Sequence, residues 1–353
     1  MLRRHLELAT PQAKSDEGQG TSLSPSGDKA AGESRVPPGL IPTGSTLLNL
    51  ALSDDPYGGY PLGSMVNLVG DRDSGKTFLA WNMMAEVVRA RDFDKYTLVY
   101  DDVEGKLRIP LARLFGQSIG RVDRDNPSDT MEEVYRKVNG MLKKKERFIY
   151  VMDSMDALTD KDEKAKEDLE RNYPAKPRLF SQFMRKVCGE LTKQESFFLV
   201  VSQVRDAIGV MFGDKHNRSG GRALGHYCIM EPWLAVKGRE KRKEREVGVK
   251  VRAKVKKNHL TGKLREVELT ILQDYGVDDI GSMIDWLVDE GFWKKAKGAS
   301  IIDTGGDFPN GARDKIRKYI DDSGKISDLI KITADSWMAL EESIKTDLRP
   351  RYE

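Results

Sequence analysis

The run Gly70, Asp71, Arg72, Asp73, Ser74, Gly75, Lys76, Thr77 carries the clearest chemistry in the chain. It fits G-x-x-x-x-G-K-[ST], in which two glycines let the backbone wrap closely and turn successive N–H groups toward phosphates. An apolar strand precedes it and a helical pattern follows, so a helix N-terminus also faces the anion. Lys76 can reach the outer phosphates of a nucleotide, the Thr77 hydroxyl can ligate Mg2+, and Phe78 follows in the same binding turn. A chance match on a glycine-rich turn is the plain alternative, and the strand–loop–helix context argues against it. A second strand ends in Asp153. Such a carboxylate often only caps a helix, but within an alternating α/β pattern it emerges beside the phosphates, where it completes the Mg2+ shell. Hydrolysis also needs a group that orients or deprotonates water. Asp101, Asp102 and Glu104 all follow the run Thr97 to Tyr100, and spacing does not choose among them.

The elements that must position these groups are legible as four short apolar runs: Val66 to Val69, Thr97 to Tyr100, Phe148 to Met152 and Phe197 to Val201. Helical patterns separate them at Thr77 to Arg91, Ser128 to Lys145 and Phe180 to Lys193. Buried strands alternating with helices predict an α/β fold with a mainly parallel central sheet flanked by helices. Farther on, Val249, Val251, Ala253 and Val255 alternate with Lys250, Arg252, Lys254 and Lys256. A turn at Asn258 to Lys263 then leads into Val267, Leu269 and Ile271. That pattern predicts an antiparallel hairpin with one basic, solvent-facing side. From about Ile280 the periodicity is helical, and Trp286, Trp293 and Trp337 read as core anchors. The expected organisation is a disordered tail over 1–38, a nucleotide-binding core over 39–278 and a small, mostly helical C-terminal domain over 279–353.

The chain has 353 residues, 39% of them hydrophobic and 33% charged. With 59 basic and 56 acidic side chains the net charge is only +3, so binding to nucleic acid must come from local patches. Two cysteines, Cys188 and Cys228, make no disulfide framework or metal-ligand spacing and predict reduced thiols in a cytoplasmic protein. The apolar runs are strand-length, so no membrane span is expected. The first 38 residues are too poor in apolar side chains to order themselves.

At Ser202-Gln-Val-Arg-Asp-Ala-Ile-Gly-Val-Met-Phe-Gly213, followed by Ser219-Gly-Gly-Arg-Ala-Leu224, the chain resembles the RecA strand-exchange recombinases of bacteria and their phages. The resemblance runs from about Pro42 to the helical C-terminus. It implies a RecA-like P-loop NTPase core, ATP and Mg2+ as cofactors, and single-stranded and homologous duplex DNA as partners. Assembly as a helical filament, with possible loader or single-strand-binding proteins, is implied too. Glu104 matches the family's catalytic glutamate and Gln203 its γ-phosphate sensor. Arg178 and Arg185 match two arginines on the DNA backbone. The two DNA-binding loops fall at about 160–176, with Tyr173 where an intercalating residue is expected, and 204–222. Lys257 and His259 fall where two lysines reach a neighbouring subunit's ATP. The departures are equally specific. His259 replaces a lysine, Gly225 and His226 replace a lysine and a phenylalanine at the same boundary, and Arg108 and Leu111 replace an acid and a tyrosine beside adenine. The family's N-terminal polymerisation helix has no counterpart beyond Leu2 to Leu8, a pattern that fits a phage-encoded member.

Read from its residues, the second loop sets Arg205, Lys215, His216, Arg218 and Arg222 among glycines that include Gly220 and Gly221. It also holds Ile208, Val210, Met211 and Phe212. Cations neutralise phosphates while apolar side chains wedge between bases. A basic glycine-rich loop is ordinarily a mobile surface loop, but an exposed Val-Met-Phe cluster is unusual for a passive one. Two functions follow: a DNA-dependent ATPase that exchanges strands, or a paralogue with little ATP turnover acting as an accessory or mediator. A different motor on the same core, such as a hexameric helicase, fits the Ile-Gly-Val-Met-Phe-Gly string poorly.

Overall fold

The computed structural model of the chain describes residues 38–105, 107–159, 175–206, 216–218, 221–295, 300–346 and 348. The expected tail, most of the first DNA loop (160–174), and Ile208, Met211, Phe212 and Gly220 lie outside the described residues, as do the side chains of Arg205 and Arg222.

The four apolar runs form strands because nearly every side chain in them is buried from both sides. Counting from β1 (Leu40–Ile41) and β2 (Tyr60–Pro61), they are β3 (Met65–Gly70), β4 (Thr97–Asp102), β5 (Phe148–Asp153) and β6 (Phe197–Asp206). Then come β7 (His216–Arg218), β8 (Met230–Arg242), β9 (Arg245–Asn258), β10 (Glu266–Leu272) and β11 (Gly276–Val277). Among the described residues the main sheet runs β11-β10-β9-β8-β3-β6-β5-β4, with β7 paired to β6 off this path. The strands from β4 to β8 in that order are parallel neighbours, and β8 to β11 form an antiparallel ribbon. The fold is thus a RecA-like core: a large, mostly parallel sheet flanked by helices, with a helical region at the C-terminal end.

The helices are α1 (Thr46–Ser53), α2 (Lys76–Arg89), α3 (Leu111–Phe115), α4 (Met131–Lys143), α5 (Ala175–Lys193), α6 (Gly221–Tyr227), α7 (Asp279–Asp289), α8 (Arg313–Asp322) and α9 (Ile326–Ser343). One apolar cluster contains Trp81, Leu98 and Tyr100 and continues through Ile271 to Trp286 and Trp337. The other contains Val134, Tyr150, Phe183 and Phe198. Tyr100 and Tyr150 therefore lie on opposite faces of the sheet, as the alternation of side chains along neighbouring strands requires. The capping box of α4, in which Thr130 accepts from the Glu133 N–H, fixes that helix end and is worth about 1 kcal/mol.

The hairpin expected over 249–271 is present as β9 and β10, with Leu269 opposite Val251. What the sequence did not reveal is β8. Its apolar half interrupts the alternation with Glu231 and Pro232, and a register shift falls between those two residues. That bulge masks the period-two signal.

Candidate functional site

The loop before α2 is shaped by close approaches. Gly75 has φ +83°, so its backbone conformation requires glycine, and a Cβ there would also displace the Ile271 Cδ1 methyl, 2.4 Å away. A Cβ on Gly70 would fall 2.6 Å from the Ser74 hydroxyl, which itself donates to the Asp71 carbonyl at 2.8 Å. Asp71, Arg72 and Asp73 are exposed on the outer turn. Lys76 is 9% exposed, and its ammonium donates to the carbonyls of Gly70 (2.9 Å) and Asp71 (2.6 Å). Burial lowers its pKa, opposed by Asp153, Asp71, Asp156 and Glu104. A cavity of about 350 Å³ opens on this loop, with Gly75 to Phe78 on one wall and Arg239, Gly248, Ile271 and Gln273 of the ribbon on the other.

The predicted partners converge at the carboxyl edge of the parallel strands. The Thr77 hydroxyl donates to Asp153 Oδ2 at 2.8 Å, and the Tyr100 hydroxyl donates to the same oxygen at 2.5 Å. Burial raises the Asp153 pKa, and the two hydroxyl donors pull it back. An oxygen pair of hydroxyl and carboxylate suits a hard cation that takes its other ligands from phosphate and water, and no cluster of three ligating side chains occurs among the described residues.

The three carboxylates that spacing left equivalent are separated by the geometry. Asp101 is buried on the far face, where it accepts from the Ser128 backbone N–H (2.7 Å), the Ser128 hydroxyl (2.6 Å), Lys137 and Tyr150. Asp102 accepts from the Leu107 N–H at 3.0 Å and holds its own loop. Glu104 reaches across to another strand's predicted site residue: Gln203 Nε2 lies 3.4 Å from its Oε1. Gln203 is placed by β6, opposite Gly70 of β3, and its N–H donates to Asp156 at 2.9 Å.

The family model of the RecA N-terminal domain matches residues 5–278. The chain belongs to the RecA family. It is 31% identical over 328 residues to the protein RecA of Mycobacterium ulcerans, covering 92% of this chain and 90% of the relative. Against the protein RecA of Caulobacter vibrioides it is 30% identical over 343 residues, or 97% of this chain and 92% of the relative. Membership places it among ATPases of recombination and repair.

Around this RecA core the remaining predicted residues are dispersed. Arg178 and Arg185 are exposed on α5, two turns apart and so on one face. Gly221 opens α6, and Arg222 follows it in the same helix. Lys257 does not project outward: its ammonium donates to the carbonyls of Gly225 (2.7 Å) and Cys228 (2.6 Å) at the end of α6. His259 is exposed, and its backbone N–H donates to the Ile229 carbonyl at 2.9 Å. Leu111 is part of the core, whereas Arg108 is exposed and donates to the Leu107 carbonyl. No described helix is long and apolar enough to cross a membrane.

Sequence reasoning missed Tyr100, Arg239 and Gln273. Tyr100 was hidden inside an apolar run, where only strand register reveals what its hydroxyl meets. Arg239 and Gln273 sit on the ribbon far along the chain, and no local motif marks them.

Proposed function

We propose that this RecA-family chain is a DNA-dependent ATPase. In this reading it binds single-stranded DNA, assembles on it as a helical filament and pairs it with homologous duplex for strand exchange. The observation that carries the reading is the contact between Glu104 and Gln203. It joins a carboxylate beside the phosphate loop to the strand that leads directly into the second DNA-binding segment.

ATP is held by Gly70, Asp71, Arg72, Asp73, Ser74, Gly75, Lys76, Thr77 and Phe78. Thr77 and Asp153 would hold Mg2+, which would supply a positive charge to offset the negative one developing on the phosphates. Lys76 meets the outer phosphates, and Glu104 orients the attacking water. Gln203 responds to the γ-phosphate and biases the order of the segment bearing Arg205, Ile208, Met211 and Phe212. Arg178, Arg185, Gly220, Gly221 and Arg222 line the polynucleotide path, and His259 faces the neighbouring subunit, joined by Lys257 only when its ammonium leaves the carbonyls of Gly225 and Cys228.

The test is the rate of ATP hydrolysis by purified protein with and without single-stranded DNA, alongside electron microscopy of the mixture. Hydrolysis several-fold faster with DNA, on filaments, is expected, and Gln203→Ala should bind nucleotide yet lose the stimulation. Hydrolysis indifferent to DNA, with no filaments, overturns the reading. A second reading, an accessory paralogue with weak or no turnover, is favoured by Lys257 being held within its own protomer. Recombination activity unchanged by Glu104→Gln would select it.

A further inference from the structure

The parallel half of the sheet contains two tyrosine–aspartate bonds that cross between the same two strands. Tyr150 of β5 donates to Asp101 of β4, and Tyr100 of β4 donates to Asp153 of β5. They lie on opposite faces, so they are alike in chemistry but not in surroundings. Asp101 is enclosed by Ser128 and Lys137 on the face opposite Asp153. Asp153 faces Thr77, the hydroxyl that follows Lys76.

We propose that Tyr100 is a positioning residue for the cation site, acting through Asp153 on the hydroxyl of Thr77. The inference rests on the reading of Thr77 and Asp153 as the groups that hold Mg2+. A hydroxyl has one proton to donate and two lone pairs to offer. Thr77 commits its proton to Asp153 Oδ2, so the direction of that carboxylate decides where the Thr77 lone pairs point. Tyr100 donates to the same oxygen and pins it. Its own ring cannot drift: it is 1% exposed and stacks on Trp81 of α2, with centroids 4.0 Å apart and planes 17° apart. Trp81 is fully buried and belongs to the same helix as Thr77. Ring and hydroxyl together tie the helix that carries one cation-holding group to the strand end that carries the other. Pre-fixing both groups removes ordering that cation binding otherwise has to impose.

Tyr100→Phe deletes only the hydroxyl and keeps the ring on Trp81. Tyr150→Phe is the matched control, because it breaks the same kind of buried bond on the other face. The measurement is binding of a fluorescent N-methylanthraniloyl ATP to the full chain as Mg2+ is titrated, with a second series in EDTA and a thermal melt of each protein. Tyr100→Phe should raise the Mg2+ concentration at half-maximal binding roughly fivefold, the effect of one buried hydrogen bond. Its binding in EDTA should stay unchanged, and Tyr150→Phe should leave the Mg2+ midpoint where it is. An unshifted midpoint in Tyr100→Phe overturns the proposal. So does an equal shift in both variants, or a matching loss of binding in EDTA, since each would mean general loosening. Parent protein that binds the nucleotide with no Mg2+ dependence would instead sink the assignment of Thr77 and Asp153 on which the proposal rests.

Discussion

The parallel half of the sheet and the antiparallel ribbon use charge in opposite ways. In the parallel half, strand directions agree, so polar groups placed after each apolar run collect at one edge: Glu104, Asp153, Gln203 and Lys76 meet there although the chain separates them widely. In the ribbon, charged side chains lie along the strands and are met sideways by opposite charges. Arg252 faces Glu266 at 3.4 Å, Lys237 faces Glu268 at 3.5 Å, and Lys250 faces Asp285 at 3.5 Å. Such exposed pairs contribute little individually. Parallel topology concentrates reactivity at an edge, whereas antiparallel topology spreads charge into a face that stays soluble.

That contrast breaks first at Lys76. Lys76→Ala should lower ATP turnover by on the order of 1000-fold, with a melting temperature close to the parent's, as measured by steady-state hydrolysis and calorimetry. A modest loss of turnover would mean that the edge is not the reacting centre. The ribbon should respond in the reverse sense. Its Arg265 side chain is 9% exposed, donates to Glu341 of α9 at 2.7 Å and lies over the Trp337 ring. Arg265→Met should cost roughly 3 kcal/mol in chemical denaturation while leaving turnover per folded molecule unchanged. The smallest effect sharpens the comparison at the seam between ribbon and core. There Asp279 accepts from the Thr46 N–H and hydroxyl, both at 2.7 Å, and burial pushes its carboxyl up to about 6. A raised folded-state pKa means that the folded protein binds the extra proton. Asp279 therefore adds no cost in acid and destabilises increasingly as pH rises from about 4 through 6. Relative to its parent, Asp279→Asn should gain on the order of 2 kcal/mol across that window. A constant offset between the two melting curves would remove Asp279 from this role.

What could be read beforehand follows the same division. The phosphate loop, Asp153 and strands β3 to β6 were legible because unbroken apolar runs flank turn chemistry that few other sequences satisfy. Choosing among Asp101, Asp102 and Glu104 required strand register, since all three follow one run and only the alternation of faces sends Asp101 to the far side. β8 was lost to its bulge at Glu231 and Pro232. Arg239 and Gln273 reach the cavity only because the ribbon folds back beside the loop, a long-range placement that no local pattern encodes.

One consequence follows from the ammonium group of Lys257. Two of its three protons are committed to Gly225 and Cys228, where they satisfy carbonyls that a short helix leaves bare at its end. A lysine withdrawn to any second anion must surrender both bonds, and α6, which restarts the chain after the glycine-rich segment, would lose its C-terminal anchor in the same movement. One side chain cannot serve two masters: whatever claims it from outside also loosens the helix it leaves behind.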